Sequence, residues 1–325
     1  MLFRSISVDG RIDGGDLGIL LANWGPVTSA AASRACDLDG NGVVNGADLG
    51  ILLANWGTCV TVPSWATLVE ARPDAAVVTN AALRSAITAT GLAWRVRDTA
   101  TQVEMMLIPP GTFQMGCIWG STAYACSGDE LPLHSVTLTK AFYLGRYELT
   151  QAQWTAKMGS NPSFFQGSSD SATRPVEEVS WNTIQSYLSA TGFRLPTEAE
   201  WEYACRAGTQ TPFYNGSQDD NTVGNLAWYY SNSGNQTHAV GGKQANGFGL
   251  YDMLGNVWEW VNDWYDTYPS SAQTDPTGPV SAATRVIRGG SCYYTTVYAR
   301  SSTRFEPSPG SITGNDFGFR VARTP

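Results

Sequence analysis

Apolar and polar side chains alternate most regularly in the short run Asn256–Val261. In an extended strand, Trp258 and Trp260 lie on one side and Glu259 lies on the other, between two valines. A carboxylate in such apolar surroundings is costly unless it has a partner. The pattern therefore predicts a buried strand in which Glu259 is paired.

Two kinds of partner for Glu259 remain open from the local sequence. The first is an arginine or a set of backbone N–H groups, which is how buried acids are usually satisfied. The second is Ca²⁺, because Asp252 lies seven residues earlier, across a turn at Gly255. Two oxygen side chains and the carbonyls of such a turn suit a hard cation that takes about six to eight oxygen ligands.

A helical pattern occurs twice near the start of the chain. The run DLGILLANWG occupies residues 16–25 and, unchanged, residues 48–57. In each copy three leucines and a tryptophan recur at i, i+3, i+4 and i+7, which is one face of a helix. The repeat predicts a duplicated loop–helix module over residues 1–59. In its second copy the apolar residues are Leu49, Leu52, Leu53 and Trp56.

An acidic loop, Asp37–Asp48, precedes the second helix. Its spacing matches the twelve-residue EF-hand loop, with oxygen donors at alternating positions and glycine at the sharp turn. The first copy has Ser5 and Ser7 at the two leading positions, so we expect weaker Ca²⁺ binding there, because affinity follows ligand charge. The predicted ligands of the second loop are Asp37, Asp39, Asn41, the Val43 carbonyl, Asn45 and Asp48.

This duplicated module, with a period of 32 residues, resembles dockerin type I. The resemblance implies bound Ca²⁺ and a cohesin-like or other cell-surface protein as the partner. Cys36 and Cys59 bracket the second loop and helix, and a disulfide between them is an alternative that spacing alone leaves open. The incomplete first loop suggests that the sequence begins inside a longer precursor.

Composition narrows the function classes. The net charge of −8 over 325 residues disfavours a surface that follows nucleic-acid phosphates. No apolar run approaches the length of a membrane span, and the first residues do not form a signal peptide. Six cysteines fit an oxidising compartment, and two histidines make histidine-based metal sites hard to assemble. We therefore expect a secreted or cell-surface protein.

Helix signals and long polar loops dominate the second half of the chain. Thr150 with Gln153 and Thr197 with Glu200 form capping boxes, each of which predicts a helix start. Gly159 and Gly208 predict where these two helices end. Short, widely separated strands lie between them, which favours an irregular α/β (α+β) domain over a doubly wound sheet. The predicted division is 1–59 for the duplicated module, 60–100 for a connector and 101–325 for the large domain.

Eight motifs in order along about residues 100–323 resemble the formylglycine-generating enzyme family, also called sulfatase-modifying factors. They include MLIPPGTFQMG, FYLGRYELTQAQW, RLPTEAEWEYACRAG, GLYDMLGNVWEW, RGGS and GFRVA. The resemblance implies a C-type-lectin-like core with much coil. It also implies one structural Ca²⁺ site and the start of a second site, at Asn225 and Leu226. The implied ligands of the first site are the side chains of Asp252 and Glu259 and the carbonyls of Gly255 and Val257.

The sequence departs from this family where its oxidation chemistry resides. The family's oxidases use O₂, Cu(I) and two cysteines, three and eight positions after the Gly-Gly-Ser turn. Here Ser291 is that serine, and Tyr294 and Ala299 occupy the two positions. Cys292 is the remaining catalytic candidate, and one thiol cannot reproduce a two-thiolate copper site. Cys205, on a predicted helix, has the pattern of a small buried side chain.

The segment that follows Ser291 is rich in Tyr, Ser, Thr and Arg, a composition typical of binding surfaces. Burial of its tyrosines in the core is the alternative. Arg288 and Arg320 are expected to pair with internal acids. The predicted ligand-contacting residues are Tyr293, Tyr294, Tyr298, Arg300 and Arg304.

Two functions therefore compete. One is a Ca²⁺-stabilised binding module for a protein or glycan, tethered by the dockerin-like unit. The other is an active formylglycine-generating oxidase, with copper as its cofactor. The missing cysteine pair favours the binding module. Cys117 and Cys126 lie in one polar loop and are candidates for a disulfide.

Overall fold

The computed structural model describes most of the chain in two compact units. One unit is Met1–Val62 with Gly91–Ala93, and the other is Pro63–Thr90 with Trp94–Pro325. The residues described are 11–12, 14–28, 36–38, 41–54, 57–58, 60–118, 124–307 and 310–325.

The small unit contains the two predicted helices, α1 (Gly14–Ala22) and α2 (Gly46–Ala54). Its core consists of Leu20, Cys36, Val44 and Leu52. The apolar face is narrower than predicted, because Leu21 and Leu53 remain 51% and 52% exposed. The proposed partner of Cys36, Cys59, lies outside the described residues. Two short antiparallel pairs complete the unit: β1 (Arg11–Ile12) with β4 (Gly57–Thr58), and β2 (Gly25–Pro26) with β3 (Val43–Val44).

The main sheet of the large unit has five antiparallel strands in the order β16-β10-β7-β6-β5. Residues 60–100, which the sequence analysis assigns to a connector, supply two of these strands and a capped helix. This occurs because their apolar side chains, such as Trp94 and Val96, are buried in the core. The strands are β5 (Ala66–Glu70), β6 (Arg95–Asp98), β7 (Glu104–Ile108), β10 (Phe142–Gly145) and β16 (Ala322–Arg323).

Two smaller sheets carry the rest of the strands. The tryptophan-rich strand is β11 (Trp258–Trp264), which begins two residues later than predicted. It is the third strand in a sheet of the order β14-β13-β11-β15. Both Trp258 and Trp260 are fully buried. Its neighbours are β13 (Arg285–Arg288) and β15 (Phe317–Gly318), and β14 (Arg304–Phe305) pairs with β13. The third sheet, in the order β12-β9-β8, contains β8 (Gly111–Met115), β9 (His134–Leu138) and β12 (Gln273–Thr274).

The described part of the large unit contains four α-helices. Both predicted capping boxes are formed, at Thr150 and at Thr197. The second of these helices ends at a left-handed Ala207, one residue before the glycine that the sequence marks as its end. The helices are α3 (Ala81–Ala89), α4 (Gln151–Met158), α5 (Trp181–Thr191) and α6 (Glu198–Arg206).

These elements confirm the predicted irregular mixed α/β class, with few helices and several small sheets. Cys117 and Cys126 form the disulfide that the sequence left open. Across the described part of the chain, no helix has the length and apolar character needed to cross a membrane.

Candidate functional site

The Gly-Gly-Ser turn after β13 positions the segment that the sequence analysis singles out. Gly289 and Gly290 have φ of +96° and +79°, values that favour glycine. A Cβ at Gly290 would lie 2.9 Å from the Tyr298 carbonyl oxygen, so the turn touches the far end of the segment. The hydroxyl of Ser291 donates to Asp316 Oδ2 at 2.6 Å. The segment 291–299 is therefore a loop that is fixed at both ends.

Cys292, the catalytic candidate, is fully buried at the start of this loop. Its backbone N–H donates to the Asn256 carbonyl oxygen at 2.9 Å. Burial, with nearby Asp316 and Glu148 adding to it, raises the pKa of the Cys292 thiol well above its usual range. The thiol is therefore protonated at neutral pH, whereas the thiolate is the form that binds metals and attacks electrophiles.

Cys205 is buried in α6 and forms no disulfide. In α6 its sulfur lies 3.5 Å from Ser301 Oγ and 3.9 Å from the Met253 carbonyl oxygen. Burial raises its pKa to about 12, as expected for a small buried side chain. Within the described part of the large unit, Cys292 is the other free cysteine, and the charged groups around the two thiols differ. A two-thiolate copper site does not fit these residues.

The tyrosines of the loop form a partly exposed layer over β11. The rings of Tyr294 and Tyr298 meet edge to face at 5.0 Å, and both lie edge-on to buried Trp258, at 5.5 and 6.3 Å. Tyr298 is 37% exposed. Tyr230, which is 56% exposed, joins them because its N–H donates to the Tyr294 carbonyl oxygen at 2.9 Å. We call Tyr230, Tyr294 and Tyr298 the tyrosine surface.

Tyr293 lies beside this surface and has different neighbours. Its hydroxyl accepts a hydrogen bond from Asn315 Nδ2 at 2.8 Å. Its ring centroid is 6.4 Å from that of Phe165, which in turn contacts Phe164 at 5.1 Å. Phe164 is 64% exposed. An apolar contact area therefore continues beyond the loop, although ligand contact by any of these rings stays a prediction.

Ligand contact by Arg300 and Arg304 stays a prediction, and both side chains are largely buried in ion pairs. Arg300 is 3% exposed and pairs with Glu130 at 2.5 Å. Arg304 is 4% exposed, pairs with Glu198 at 2.7 Å and lies against the ring of Tyr268 at 4.1 Å. A buried guanidinium requires such a carboxylate partner, so both side chains fix the end of the loop from inside.

The acids that hold these arginines were missed, although the sequence carries a signal for them. Glu198 and Glu202 lie four residues apart in α6 and therefore on one helical face. Arg288 pairs with Glu202, as expected for an internal anchor, and Arg206 pairs with the same carboxylate at 2.8 Å. The alternation of acids in TEAEWE thus serves the cap with Glu200 and the core with the other two glutamates.

Glu259 pairs with an arginine, one of the two kinds of partner that the sequence leaves open. Arg320 Nη2 donates to its Oε1 at 2.6 Å, and Arg320 Nε donates to its Oε2 at 2.7 Å. Trp201 Nε1 donates to the same Oε2 at 2.8 Å. All three side chains are fully buried. Because these donors already occupy the carboxylate, the geometry favours the ion pair, and Ca²⁺ at Asp252, Glu259, Gly255 and Val257 stays a prediction.

Two further buried acids surround this pair. Asp252 accepts from the Gly241 N–H at 2.6 Å, and burial raises its pKa to about 6. Glu148 accepts from Asn256 Nδ2 at 2.6 Å and from the Val257 N–H at 3.1 Å. Burial, with Asp252 nearby, raises the pKa of Glu148 well above its usual range. Arg320 is therefore a cation shared by three acids, and Lys243 adds a further positive charge near Asp252.

An ammonium group occupies the neighbourhood of the second predicted Ca²⁺ site. Lys243 Nζ donates to the Gly224 carbonyl oxygen at 2.6 Å and lies 3.7 Å from the centre of the Trp228 ring. The Asn225 carbonyl oxygen accepts from the Gln244 N–H at 2.9 Å, and the Leu226 carbonyl oxygen accepts from Tyr214 at 3.2 Å. These contacts provide a cation and hydrogen-bond donors, and Ca²⁺ binding at Asn225 and Leu226 stays a prediction.

In the acidic loop of the small unit, backbone N–H groups donate to the carboxylates of the loop itself. Asp37 accepts from the N–H groups of Asn41 and Gly42 at 3.0 and 2.9 Å. Asp48 accepts from the N–H groups of Leu38 and Asn45 at 2.6 and 2.8 Å. Asp39 lies outside the described residues. These bonds involve backbone N–H groups, and Ca²⁺ binding and the dockerin resemblance stay predictions.

Comparison with known sequences places the large unit in a family. Residues 92–325 match the family described as Sulfatase-modifying factor enzyme 1-like domain. The formylglycine-generating enzyme of Streptomyces coelicolor is 32% identical over 300 residues, which covers 71% of this chain and 92% of that protein. The mouse formylglycine-generating enzyme is 38% identical over 186 residues, covering 53% of this chain and 49% of its own. The chain thus spans about half the length of the mouse relative.

Solved structures with a similar fold also resemble this chain. Treponema denticola variable protein 1 has 32% identity and a TM-score of 0.62, covering 69% of this chain and 95% of its own. PvdO from Pseudomonas aeruginosa has 31% identity and a TM-score of 0.59, covering 71% and 98%. These similarities confirm the expected C-type-lectin-like fold. From its matched residues and its fold, the chain belongs to the sulfatase-modifying factor enzyme 1-like family.

Proposed function

We propose that the large unit is a binding module that does not generate formylglycine, and that the tyrosine surface contacts its protein or glycan ligand. The observation that carries the proposal is the composition of the loop after Ser291. Tyr294 and Ala299 stand where the oxidases of the family have cysteines. The one thiol of the loop, Cys292, is buried and has a raised pKa.

The tyrosine surface supports the binding part of the proposal. Tyrosine offers a large, stiff contact area with a polar tip. Tyr298 and Tyr230 are 37% and 56% exposed, while buried Trp258 supports the rings of the loop from below. The internal ion pairs of Arg288 and Arg300 fix the backbone on either side. A surface whose backbone is already ordered loses less entropy when it binds.

The oxidase alternative rests on similarity to formylglycine-generating enzymes, so a direct assay separates the two functions. We expect the protein, incubated with Cu(I), O₂ and a cysteine-containing sulfatase peptide, to leave the peptide unchanged. Mass spectrometry of the peptide is the measurement, with the Streptomyces coelicolor enzyme as the positive control. An aldehyde product that forms with the wild type and is lost in Cys292→Ser would establish the oxidase.

We propose that the small unit binds Ca²⁺ through Asp37–Asp48 and, as a dockerin-like module, tethers the chain to a cohesin-like or other cell-surface protein. Support comes from the oxygen spacing of the loop and from the N–H groups that hold Asp37 and Asp48 in place. A secreted or cell-surface location belongs to the same proposal.

Calorimetry of the full chain tests this Ca²⁺ site. We expect Asp37→Ala to remove most of the heat of Ca²⁺ binding, because it deletes a charged ligand at the first loop position. Ser5→Ala, at the matching position of the first copy, should change the heat little. Equal losses in the two variants would show that the loop is assigned wrongly.

A further inference from the structure

The large unit contains a cavity to which no residue of the tyrosine surface contributes. It is a cavity of about 320 Å³ between the start of α6, the end of β11 and the loop after β12. Much of its wall is apolar, from Met115, Ala199 and three prolines. We call it the proline-lined cavity, after Pro269, Pro276 and Pro279.

Asp263 presents a polar atom to this cavity. The residue is 4% exposed, and its Oδ2 accepts from the Glu198 N–H at 2.9 Å. No hydrogen-bond partner of Oδ1 exists among the described residues. A Cβ at Gly278, which has φ +71°, would lie 3.1 Å from Oδ1, so glycine keeps this oxygen open. The carboxyl group is thus nine-tenths buried, with one oxygen unpartnered.

The uncharged form of Asp263 is the one that its surroundings favour. A buried carboxylate without a cation is costly, and Arg304, the nearby guanidinium, is paired with Glu198. Burial, with Glu198 adding to it, raises the pKa of Asp263 to about 8. Because Oδ2 accepts the helix N–H, the proton resides on Oδ1. The charged groups around the carboxyl group are Glu198, Glu200, Arg285 and Arg304.

His134 supplies a second polar atom, which is a hydrogen-bond acceptor. The side chain is 5% exposed, and its Nδ1 lies 3.0 Å from the Pro132 carbonyl oxygen. In this geometry Nδ1 carries the proton and donates it, which leaves Nε2 as an acceptor. No described residue donates to Nε2, and the ring, which rests against Tyr268 at 5.0 Å, borders the cavity.

The wall also contains polar residues, among them Gln273 and the paired Glu198 and Arg304. Asp263 adds a donor and His134 adds an acceptor, and together with the apolar part of the wall they indicate a ligand chemistry. We propose that the proline-lined cavity binds an uncharged carboxamide group, with the Asp263 carboxylic acid donating to its carbonyl oxygen and His134 Nε2 accepting from its N–H. The apolar wall suits the alkyl part of such a group. The proposal goes beyond the tyrosine surface and holds or fails independently of it.

Carboxamides occur in acetylated amino sugars and in peptides, so the test has two arms. Saturation-transfer NMR of the full chain at pH 7 is measured with N-acetyl-D-glucosamine and with N-acetylglycinamide. D-glucose and acetate are the controls without an amide. We expect transfer to at least one amide probe and not to the controls, and the arm that binds identifies the source of the ligand. No transfer from either amide, or equal transfer from glucose, would overturn the proposal.

Two substitutions separate the roles of the polar atoms. His134→Phe keeps a ring beside Tyr268 but removes the acceptor, so binding of the amide should weaken about tenfold or more. His238→Phe, at the other histidine of the chain and outside this cavity, should leave binding unchanged. Unchanged binding in His134→Phe would contradict the proposed contact.

Asp263→Asn is the sharper test, because the amide Nδ2 can replace the protonated oxygen as a donor. Wild-type binding should fall about tenfold or more between pH 7 and pH 9.5, since the ionised carboxylate repels the ligand's carbonyl oxygen. Asp263→Asn should bind within about threefold of wild type at pH 7 and show no such fall. A loss of binding in Asp263→Asn at pH 7, with an unchanged melting temperature, would show that the donor role is wrong.

Discussion

Arg320→Ala should destabilise the large unit by about 3–5 kcal/mol, the usual cost of leaving one member of a buried ion pair without its partner. The substitution leaves Glu259 fully buried without its cation, and Asp252 and Glu148 lose the same compensating charge. Urea unfolding at pH 7.5, followed by tryptophan fluorescence, measures the change in the free energy of unfolding.

Arg97→Ala is the matched control. Arg97 also pairs with a glutamate, Glu104, at 2.6 Å, but its side chain is 44% exposed, so the expected loss is about 0–1 kcal/mol. A loss in Arg320→Ala no greater than in this control would mean that the buried pair is not the main support of Glu259.

A melting experiment distinguishes between arginine and Ca²⁺ as the partner of Glu259. In an Asp37→Ala background, where the loop site of the small unit is disabled, melting is compared in chelator and in millimolar Ca²⁺. Equal melting temperatures support the ion pair. A higher melting temperature in Ca²⁺ that is lost in Glu259→Gln would establish the metal site, because a ligand of the folded state raises its stability.

Asp263→Asn should make the protein more stable than wild type at pH 9, by on the order of 5 kcal/mol, and about equally stable at pH 4. The pKa of Asp263 is about 8 in the folded chain and about 3.9 in an unfolded one. Between these values the folded state binds more protons than the unfolded state, so wild-type stability falls as the pH rises. Asparagine has no such titration.

Urea unfolding at several pH values gives the difference between the two proteins, in which the titration of other buried acids cancels. Asp275→Asn is a control of opposite sign, because hydrogen bonds from Thr139 lower the folded pKa of Asp275. Its carboxylate stabilises the folded state at neutral pH, and this contribution is lost as the pH falls. A pH-independent difference for Asp263→Asn would show that Asp263 is ionised in the folded state.

Local signals in the sequence predict much of the secondary structure. The side chains of Thr150 and Thr197 cap helices where the capping boxes place them, because a capping box involves residues only three positions apart. The helix that begins after Thr197 ends one residue early, at Ala207. Such small differences arise because several adjacent residues can adopt the left-handed conformation that ends a helix.

The partners of buried charges are beyond local reasoning. The sequence shows that Glu259 requires a partner, but its partner Arg320 is 61 positions away. From the local sequence alone, Ca²⁺ satisfies the same requirement. Arg300 and Glu130 are separated by 170 positions. The composition of the segment around Arg300 is typical of a binding surface and predicts ligand contact. The tertiary fold places the carboxylate of Glu130 beside it. Asp263 was missed for the same reason, since only the fold closes a cavity around it.

The two ends of the loop 291–299 are fixed by contacts that do not involve its exposed rings. At one end Ser291 donates to Asp316, and at the other Arg300 pairs with Glu130. Positions such as Tyr298 can therefore be exchanged without disturbing these anchors. For protein engineering, the chain is a scaffold on which a library of randomised loop sequences can be displayed and selected for new targets.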